Sequence, residues 1–201
     1  NRVIKSYKSN ILYVERGDRI IILYGNPKSY DPVRIKEDTL SLCKKIYAEA
    51  SKKITSMEII VGIGRSYLDL SQLYKSQEQA KLIVEHLSKG TTESIIHYDN
   101  LGIYRLLAHD EIKGELIDFC KDTIMPLIEH DKLYNSELVK TLKQYFKFNG
   151  NMKKISENMY MHYNTIVYRI NKINEITGLD IEESDNSLNL QIALKILDII
   201  E

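Results

Sequence analysis

His162, Tyr163, Asn164, Thr165, Tyr168 and Arg169 stand within eight consecutive residues, and their types suit contact with a polyanion. Imidazole, carboxamide, hydroxyl and phenol groups exchange hydrogen bonds with base edges and phosphate oxygens, and a guanidinium adds charge and a two-pronged donor. Ile166, Ile170 and Ile173 recur through the same run at helical spacing, so residues 163–175 are expected to form an amphipathic helix. Thr165, Tyr168, Arg169 and Lys172 fall on the other face, free of the core. A shorter helix is expected over 152–158, carrying Lys153 and Lys154 and joined to the first by a tight apolar link through Met159 and Met161. The pair reads as a helix-turn-helix with 163–175 as its recognition helix, and double-stranded DNA is the expected partner. Most polar helix faces simply meet water, so it is the order of residues that favours DNA here.

That order is specific. The stretch from Ile155 through Ser156, Glu157, Asn158, Met159, Tyr160, Met161, His162, Tyr163, Asn164, Thr165, Ile166, Val167, Tyr168 and Arg169 to Ile170 resembles the C-terminal helix-turn-helix of the PucR/CdaR family of bacterial transcription regulators. The family pattern is A-x-x-L-x-V-H-x-N-T-L-x-Y-R-L, followed by T-G-x-D-L, which stands here as Thr177-Gly178-Leu179-Asp180-Ile181. The resemblance runs from about Leu138 to Leu197. Three positions depart from it. Ser156 replaces Ala and Met159 replaces Leu, both small changes of volume that a helix crossing absorbs. Tyr163 replaces a residue that is often basic, which removes a charge-assisted phosphate contact and leaves a ring able to meet a phosphate or a thymine methyl. The resemblance implies DNA-contact roles for His162, Tyr163, Asn164, Thr165, Tyr168 and Arg169, with Lys153, Lys154 and Lys172 on phosphates.

The formal net charge of zero hides a partition. Residues 136–178 hold seven basic and three acidic groups, for +4, whereas 101–135 total −3 and 179–201 total −5. Screening confines phosphate attraction to about 8–10 Å at ordinary salt, so the local figure is the relevant one. It is modest for one chain, and a homodimer, which would double it, is expected. With 43% apolar residues the chain suits globular folding, and its longest apolar runs fall well short of a membrane span. Cys43 and Cys120 are too few and too far apart for a disulfide framework or a zinc motif, and are expected to be buried thiols in a reducing cytoplasm. No cofactor or metal is expected.

The first hundred residues alternate strand and helix patterns. Strands are expected over 10–14 and 19–24, joined by a turn at Glu15-Arg16-Gly17-Asp18, then a helix over 38–53 with Leu42, Ile46 and Ala50 inward. A nearly all-apolar central strand follows over 58–63, a helix over 70–88 with Leu73, Ala80, Ile83, Val84 and Leu87 inward, and a short strand over 95–98. This order resembles the GGDEF-like, nucleotidyl-cyclase-like domain that precedes the helix-turn-helix in PucR/CdaR regulators. Further marks are Gly62-Ile63-Gly64, Glu78-Gln79-Ala80 and Tyr98-Asp99-Asn100-Leu101-Gly102. An active cyclase would carry Gly-Gly-Asp/Glu-Glu-Phe at the hairpin, with carboxylates holding magnesium. Here the turn reads Arg16-Gly17-Asp18-Arg19-Ile20, where two arginines repel a cation and Asp18 alone supplies too few oxygens. Catalysis is therefore not expected. Gly62-Ile63-Gly64 is no dinucleotide fingerprint either, because Tyr67 occupies the third glycine position.

The expected fold class is α+β. A truncated nucleotidyl-cyclase-like (ferredoxin-like) α/β domain spans 1–100, a helical connector 101–133, and an all-α helix-turn-helix domain 134–201. Within the connector, helices are expected over 101–109 and 112–128, the second with Pro126 near its end. His109-Asp110 and His130-Asp131 read as polar residues at helix ends, since no nucleophile sits at motif spacing. A helix over 136–148 is expected to be capped by Asn135 or Ser136, and a closing helix over 188–200 to turn Leu188, Ile192, Ile196 and Ile199 inward. Because Asn1 rather than Met comes first, the chain is expected to be part of a longer protein whose small-molecule effector binds an upstream domain. Two other readings stay open: a dimerisation or protein-interaction module without DNA contact, and a cyclase-like domain that retains nucleotide binding.

Overall fold

The computed structural model describes residues 11–25, 31–87 and 93–200, which fall into two compact units divided between Arg105 and Leu106. The expected strand start at Asn10, the helix end at Ser88 and the inward side chain of Leu87 lie outside the described part.

In the first unit, β1 (Ile11–Arg16) and β2 (Arg19–Tyr24) pair antiparallel, with Ile11 opposite Tyr24 and Arg16 opposite Arg19. The turn is thus only Gly17-Asp18, and Gly17 supplies its positive φ of 60° at no steric cost. Helix α1 (Pro32–Ser51) starts six residues before the expected position. The start signal was Asp31-Pro32: the Asp31 carboxylate accepts from Val33 N at 3.1 Å, and proline fits the first turn because its missing N–H has no helical partner there. Of the strand expected over 58–63, only β3 (Val61–Ile63) forms, and it pairs parallel with β4 (Ile95–His97). The described strands therefore make two separate two-stranded sheets, not one ferredoxin-like sheet with a central β3.

The helix expected over 70–88 is divided into a 3-10 turn at Leu70–Gln72, helix α2 (Leu73–Leu82) and a wide π turn at Ile83–Leu87. Here β3 and the loop after it run directly against α2. A Cβ on Gly62 would lie 2.4 Å from the Ala80 carbonyl oxygen, and one on Gly64 would lie 2.0 Å from that of Ser76. The Gly-Ile-Gly segment is thus a close-approach device between strand and helix. Its neighbour Arg65 gathers the other marks around it. Arg65 N donates to Gln79 Oε1 at 2.9 Å, Arg65 Nε donates to Asp99 Oδ1 at 2.6 Å, and its guanidinium lies 5.2 Å from the Tyr98 ring centre. Partial burial opposes ionisation of Asp99, but the Arg65 hydrogen bond and charge, aided by His97 and Lys36, outweigh it and hold the carboxyl below its ordinary range. At the hairpin, Arg19 Nη1 donates to Glu85 Oε1 at 2.6 Å, so this arginine is spent on a carboxylate of the same unit.

The second unit is all helix: α3 (Lys113–Thr123), α4 (Met125–Tyr134), α5 (Leu138–Lys147), α6 (Met152–Met159), α7 (Tyr163–Thr177) and α8 (Ser184–Ile200). One apolar core joins them, built on Cys120, Ile124, Leu127, Leu142, Ile155, Ile173 and Leu190 among others. Three of those seven side chains come from the stretch expected as a connector: Cys120 from α3, Leu127 from α4 and Ile124 from between them. The helix expected over 112–128 breaks at Ile124, and Pro126 opens α4 where it was expected to close a helix, again because the first turn tolerates its missing N–H. Cys120 is fully buried and its thiol contacts the Ala193 carbonyl at 3.8 Å, while half-buried Cys43 in the first unit has its thiol pushed up to about 11 by burial.

The expected cap of α5 is corrected as well. Asn135 closes α4 in the left-handed conformation, and the first amides of α5 are taken by Asp131 from the preceding helix. Leu138 N donates to Asp131 Oδ1 at 2.7 Å, Val139 N to Oδ2 at 2.9 Å, and the Ser136 hydroxyl to Oδ1 at 2.6 Å. With that proton committed, Ser136 Oγ accepts from His130 Nδ1 at 2.9 Å. Along α8 the buried residues are Leu190, Ala193, Leu194, Ile196 and Leu197, while Leu188 is exposed. Of the expected stripe, Ile196 is buried and Ile192 and Ile199 pack partly buried against the core, whereas Leu188, two four-residue steps before Ile196, lies about 80° round the helix from it.

Two predictions follow from this packing. Gly64→Ala forces a Cβ into the Ser76 carbonyl and is expected to destabilise the first unit by about 1–3 kcal/mol; urea unfolding monitored by circular dichroism should show that transition moving to lower denaturant while a second stays in place. Asp131→Ala removes the cap of α5 and is expected to cost the second unit about 1–2 kcal/mol, and an unshifted melting curve would refute that role.

Candidate nucleic-acid interface

Local signals at both ends set the orientation of α6. Asn149 and Gly150 take positive φ (48° and 72°) to end α5, and Asn151 then caps α6 by accepting from Lys154 N at 3.1 Å. Ile155 faces the core and is fully buried, which leaves Lys153 and Lys154 exposed on the first turn. Tyr160 ends the helix in the left-handed conformation, and its side chain is almost entirely exposed. Met159 and Met161 on either side are partly buried against the core, as the apolar link required. His162 caps α7: its Nδ1 accepts from Asn164 N at 3.3 Å. Its role in the structure is thus to start α7.

Helix α7 buries Ile166, Ile170 and Ile173, the three positions expected from spacing. Tyr163, Asn164, Thr165 and Tyr168 are exposed, Tyr168 to 65%. This is a row of phenol, carboxamide and hydroxyl groups on a rigid helix, all with free donor or acceptor capacity toward solvent. Lys172 lies at the row's C-terminal end, where its ammonium donates to Glu175 Oε1 at 2.8 Å; that hydrogen bond is the main cause of a raised lysine pKa.

Arg169 departs from the expectation. Its side chain is only 15% exposed, and Nη1 donates to Thr141 Oγ1 at 3.2 Å and to Glu137 Oε2 at 3.5 Å. The guanidinium reaches back to α5 and does not stand free of the core. Its position about 60° further round the helix than Lys172 explains this, since it borders the isoleucine stripe and not the middle of the polar face. Glu137 takes the left-handed conformation at φ 56°, and hydrogen bonding and charge from Lys140 first, then from Arg169, keep its carboxyl below the ordinary range. Thr141 is fully buried, and its hydroxyl also donates to the Glu137 carbonyl at 2.9 Å.

Sequence reasoning missed this supporting layer of Asp131, Glu137 and Thr141. A short-range signal existed for none of them: each acts across a loop or between helices, and a glutamate in left-handed conformation has no composition cue. The structure brings together the expected residues of α7 with Lys153 and Lys154 of α6 in one unit. Among the described residues no three histidine, cysteine or acidic side chains are grouped to hold a metal ion, and no helix is long and apolar enough to cross a membrane.

Residues 138–196 match the PucR C-terminal helix-turn-helix domain, and residues 1–85 match the GGDEF-like domain. The chain is 33% identical over 191 residues to the proline-responsive transcriptional activator PutR of Bacillus subtilis, covering 94% of this chain and 46% of PutR. It is 21% identical over 179 residues to the DNA-binding transcriptional activator AdeR of the same organism, covering 88% of this chain and 42% of AdeR. To the carbohydrate diacid regulator of Escherichia coli it is 27% identical over 147 residues, covering 72% of this chain and 37% of that protein. The chain thus spans about half the length, or less, of these curated relatives. With a GGDEF-like segment followed by a PucR-type helix-turn-helix, and this similarity to PutR along nearly its whole length, the chain belongs to the PucR/CdaR family of bacterial transcription regulators.

Proposed function

We propose that the second unit binds double-stranded DNA through α7, that two copies act together as a homodimer, and that an effector is sensed by a domain outside this chain. The observation that carries the reading is the exposed row Tyr163, Asn164, Thr165 and Tyr168 on a helix whose other side is locked by three buried isoleucines. A helix held that rigidly keeps its donors and acceptors aligned for base edges in a major groove. Lys153 and Lys154 on α6, with Lys172 on α7, supply phosphate contacts that fix register without reading sequence. His162 contributes by starting α7, and Arg169 by tying α7 to α5. The +4 of residues 136–178 is small for one chain, which favours two chains on two half-sites.

Two comparisons support an effector site elsewhere. PutR is named for a response to proline and the Escherichia coli relative for carbohydrate diacids, yet both align with this same half. Inputs that differ while the aligned half is shared point to recognition in the other half. The first unit is read as non-catalytic, since Arg16 and Arg19 flank the one carboxylate of its turn and Arg19 is paired with Glu85.

Binding to duplex DNA is expected to weaken steeply with salt, and Lys153→Gln or Lys154→Gln should each lower the slope of log affinity against log salt by about one per protomer. Fluorescence anisotropy across a salt series measures this, and absence of binding at low salt to DNA from upstream of the gene would sink the reading. Arg169→Ala is expected to lose about 1–3 kcal/mol of DNA affinity with the salt slope unchanged, because its charge is already spent on Glu137. A slope that falls by about one would show instead that Arg169 grips a phosphate.

A further inference from the structure

Beside α7 lies an open pocket of about 380 Å³, lined by Thr165, Tyr168, Arg169 and Lys172 from that helix and by His130 and Tyr134 from the last turn of α4. The two halves of this lining differ in origin. Thr165, Tyr168 and Lys172 belong to the row already described, whereas α4 falls in the stretch that the sequence presented as a connector. His130 is fixed by its hydrogen bond to Ser136, and the Tyr134 ring packs against it with centroids 4.6 Å apart. Tyr134 is nonetheless 69% exposed, so its phenol stands at the mouth of the pocket.

We propose that the last turn of α4 is a second wall of the DNA interface, and that this pocket receives a backbone phosphate of the duplex whose major groove holds α7. The inference rests on the DNA-binding reading above. Its argument is one of size and chemistry. A major groove is about 12 Å wide and a helix with its side chains about 10–12 Å across, so a recognition helix fills the groove. An element flanking that helix on its exposed side therefore lies over a sugar-phosphate strand. The element flanking Thr165, Tyr168 and Lys172 is the end of α4. The side chains that meet there offer four hydroxyls, from Tyr134, Ser136, Thr165 and Tyr168, that of Ser136 already donating to Asp131, and the ammonium of Lys172; no carboxylate lines the pocket. Arg169 sits in the lining with its charge balanced by Glu137, which leaves Lys172 as the cation available to an anion. Its present partner Glu175 is 68% exposed, and an exposed ion pair of that kind is worth little enough to be exchanged for a phosphate.

Charge placed at Tyr134 tests this, because the side chain is exposed and the fold does not depend on it. The full chain and its Tyr134→Lys, Tyr134→Glu and Tyr134→Phe variants are titrated against a labelled mixed-sequence duplex of about 30 base pairs over a salt series. Tyr134→Lys is expected to bind several-fold tighter with a salt slope steeper by about one, and Tyr134→Glu about tenfold weaker. Tyr134→Phe keeps the ring against His130 and loses the hydroxyl, so a modest loss is expected at unchanged slope. Lysine and glutamate variants that both bind within twofold of the unaltered chain, or that weaken binding equally, overturn the inference while leaving the DNA-binding reading intact. An unaltered chain that does not bind the duplex at low salt overturns both.

Discussion

Burial of one side of α7 is the constraint on which the rest of the second unit depends. Ile166, Ile170 and Ile173 are essentially removed from water, and each such side chain contributes about 1.5–3 kcal/mol relative to exposure. Rotating the helix by one residue would bring polar side chains into the core and expose isoleucine, so the rotational setting is fixed far more firmly than any surface contact could fix it. The exposed row of tyrosine, asparagine and threonine inherits its direction from that apolar anchorage. Residues that would meet a partner are thus aimed by residues that cannot touch it.

Polar contacts then set what apolar packing leaves free, the tilt and the ends of each helix. Asp131 serves two amides and a hydroxyl at the start of α5, and Asn151 and His162 start the two helices that follow. Arg169 joins α7 to α5 through Glu137 and Thr141. Glu137 accepts a backbone conformation that costs about 1–2 kcal/mol for a residue with a Cβ. The two cationic partners of its carboxylate, Lys140 and Arg169, lie within the same small neighbourhood and offset part of that cost. Strain of this sort persists where surrounding structure over-determines the site.

How much of this was legible follows from range. The isoleucine stripe, the two-helix motif and the β2 strand express short periodicities, and each stands where spacing put it. The early start of α1 was also written locally, in Asp31-Pro32, but an apolar pattern beginning at Leu42 does not extend to it. What spacing could not convey is contact between distant segments. Arg169 reads as a polar-face residue until Thr141 and Glu137 are seen beside it, and Pro126 reads as a terminator until the chain is seen to break just before it. In the first unit, the glycines of Gly62-Ile63-Gly64 suggest close approach without naming what approaches; only the geometry identifies α2. The division of the described strands into two sheets has no counterpart in local sequence at all.

The stretch that matches a helix-turn-helix by sequence is shorter than the piece that coheres as a body. The match covers 138–196, whereas one core runs from Leu107 through Cys120, Ile124 and Leu127 into the motif helices. A chimera between relatives joined at the edge of the recognisable motif would pair one parent's α3 and α4 with the other parent's core, setting side chains of unmatched shape against each other. Joined near residue 106, the same exchange would carry the whole core across. The natural unit of inheritance for the exposed surface of α7 is therefore the larger body, even though only part of it carries a recognisable signature.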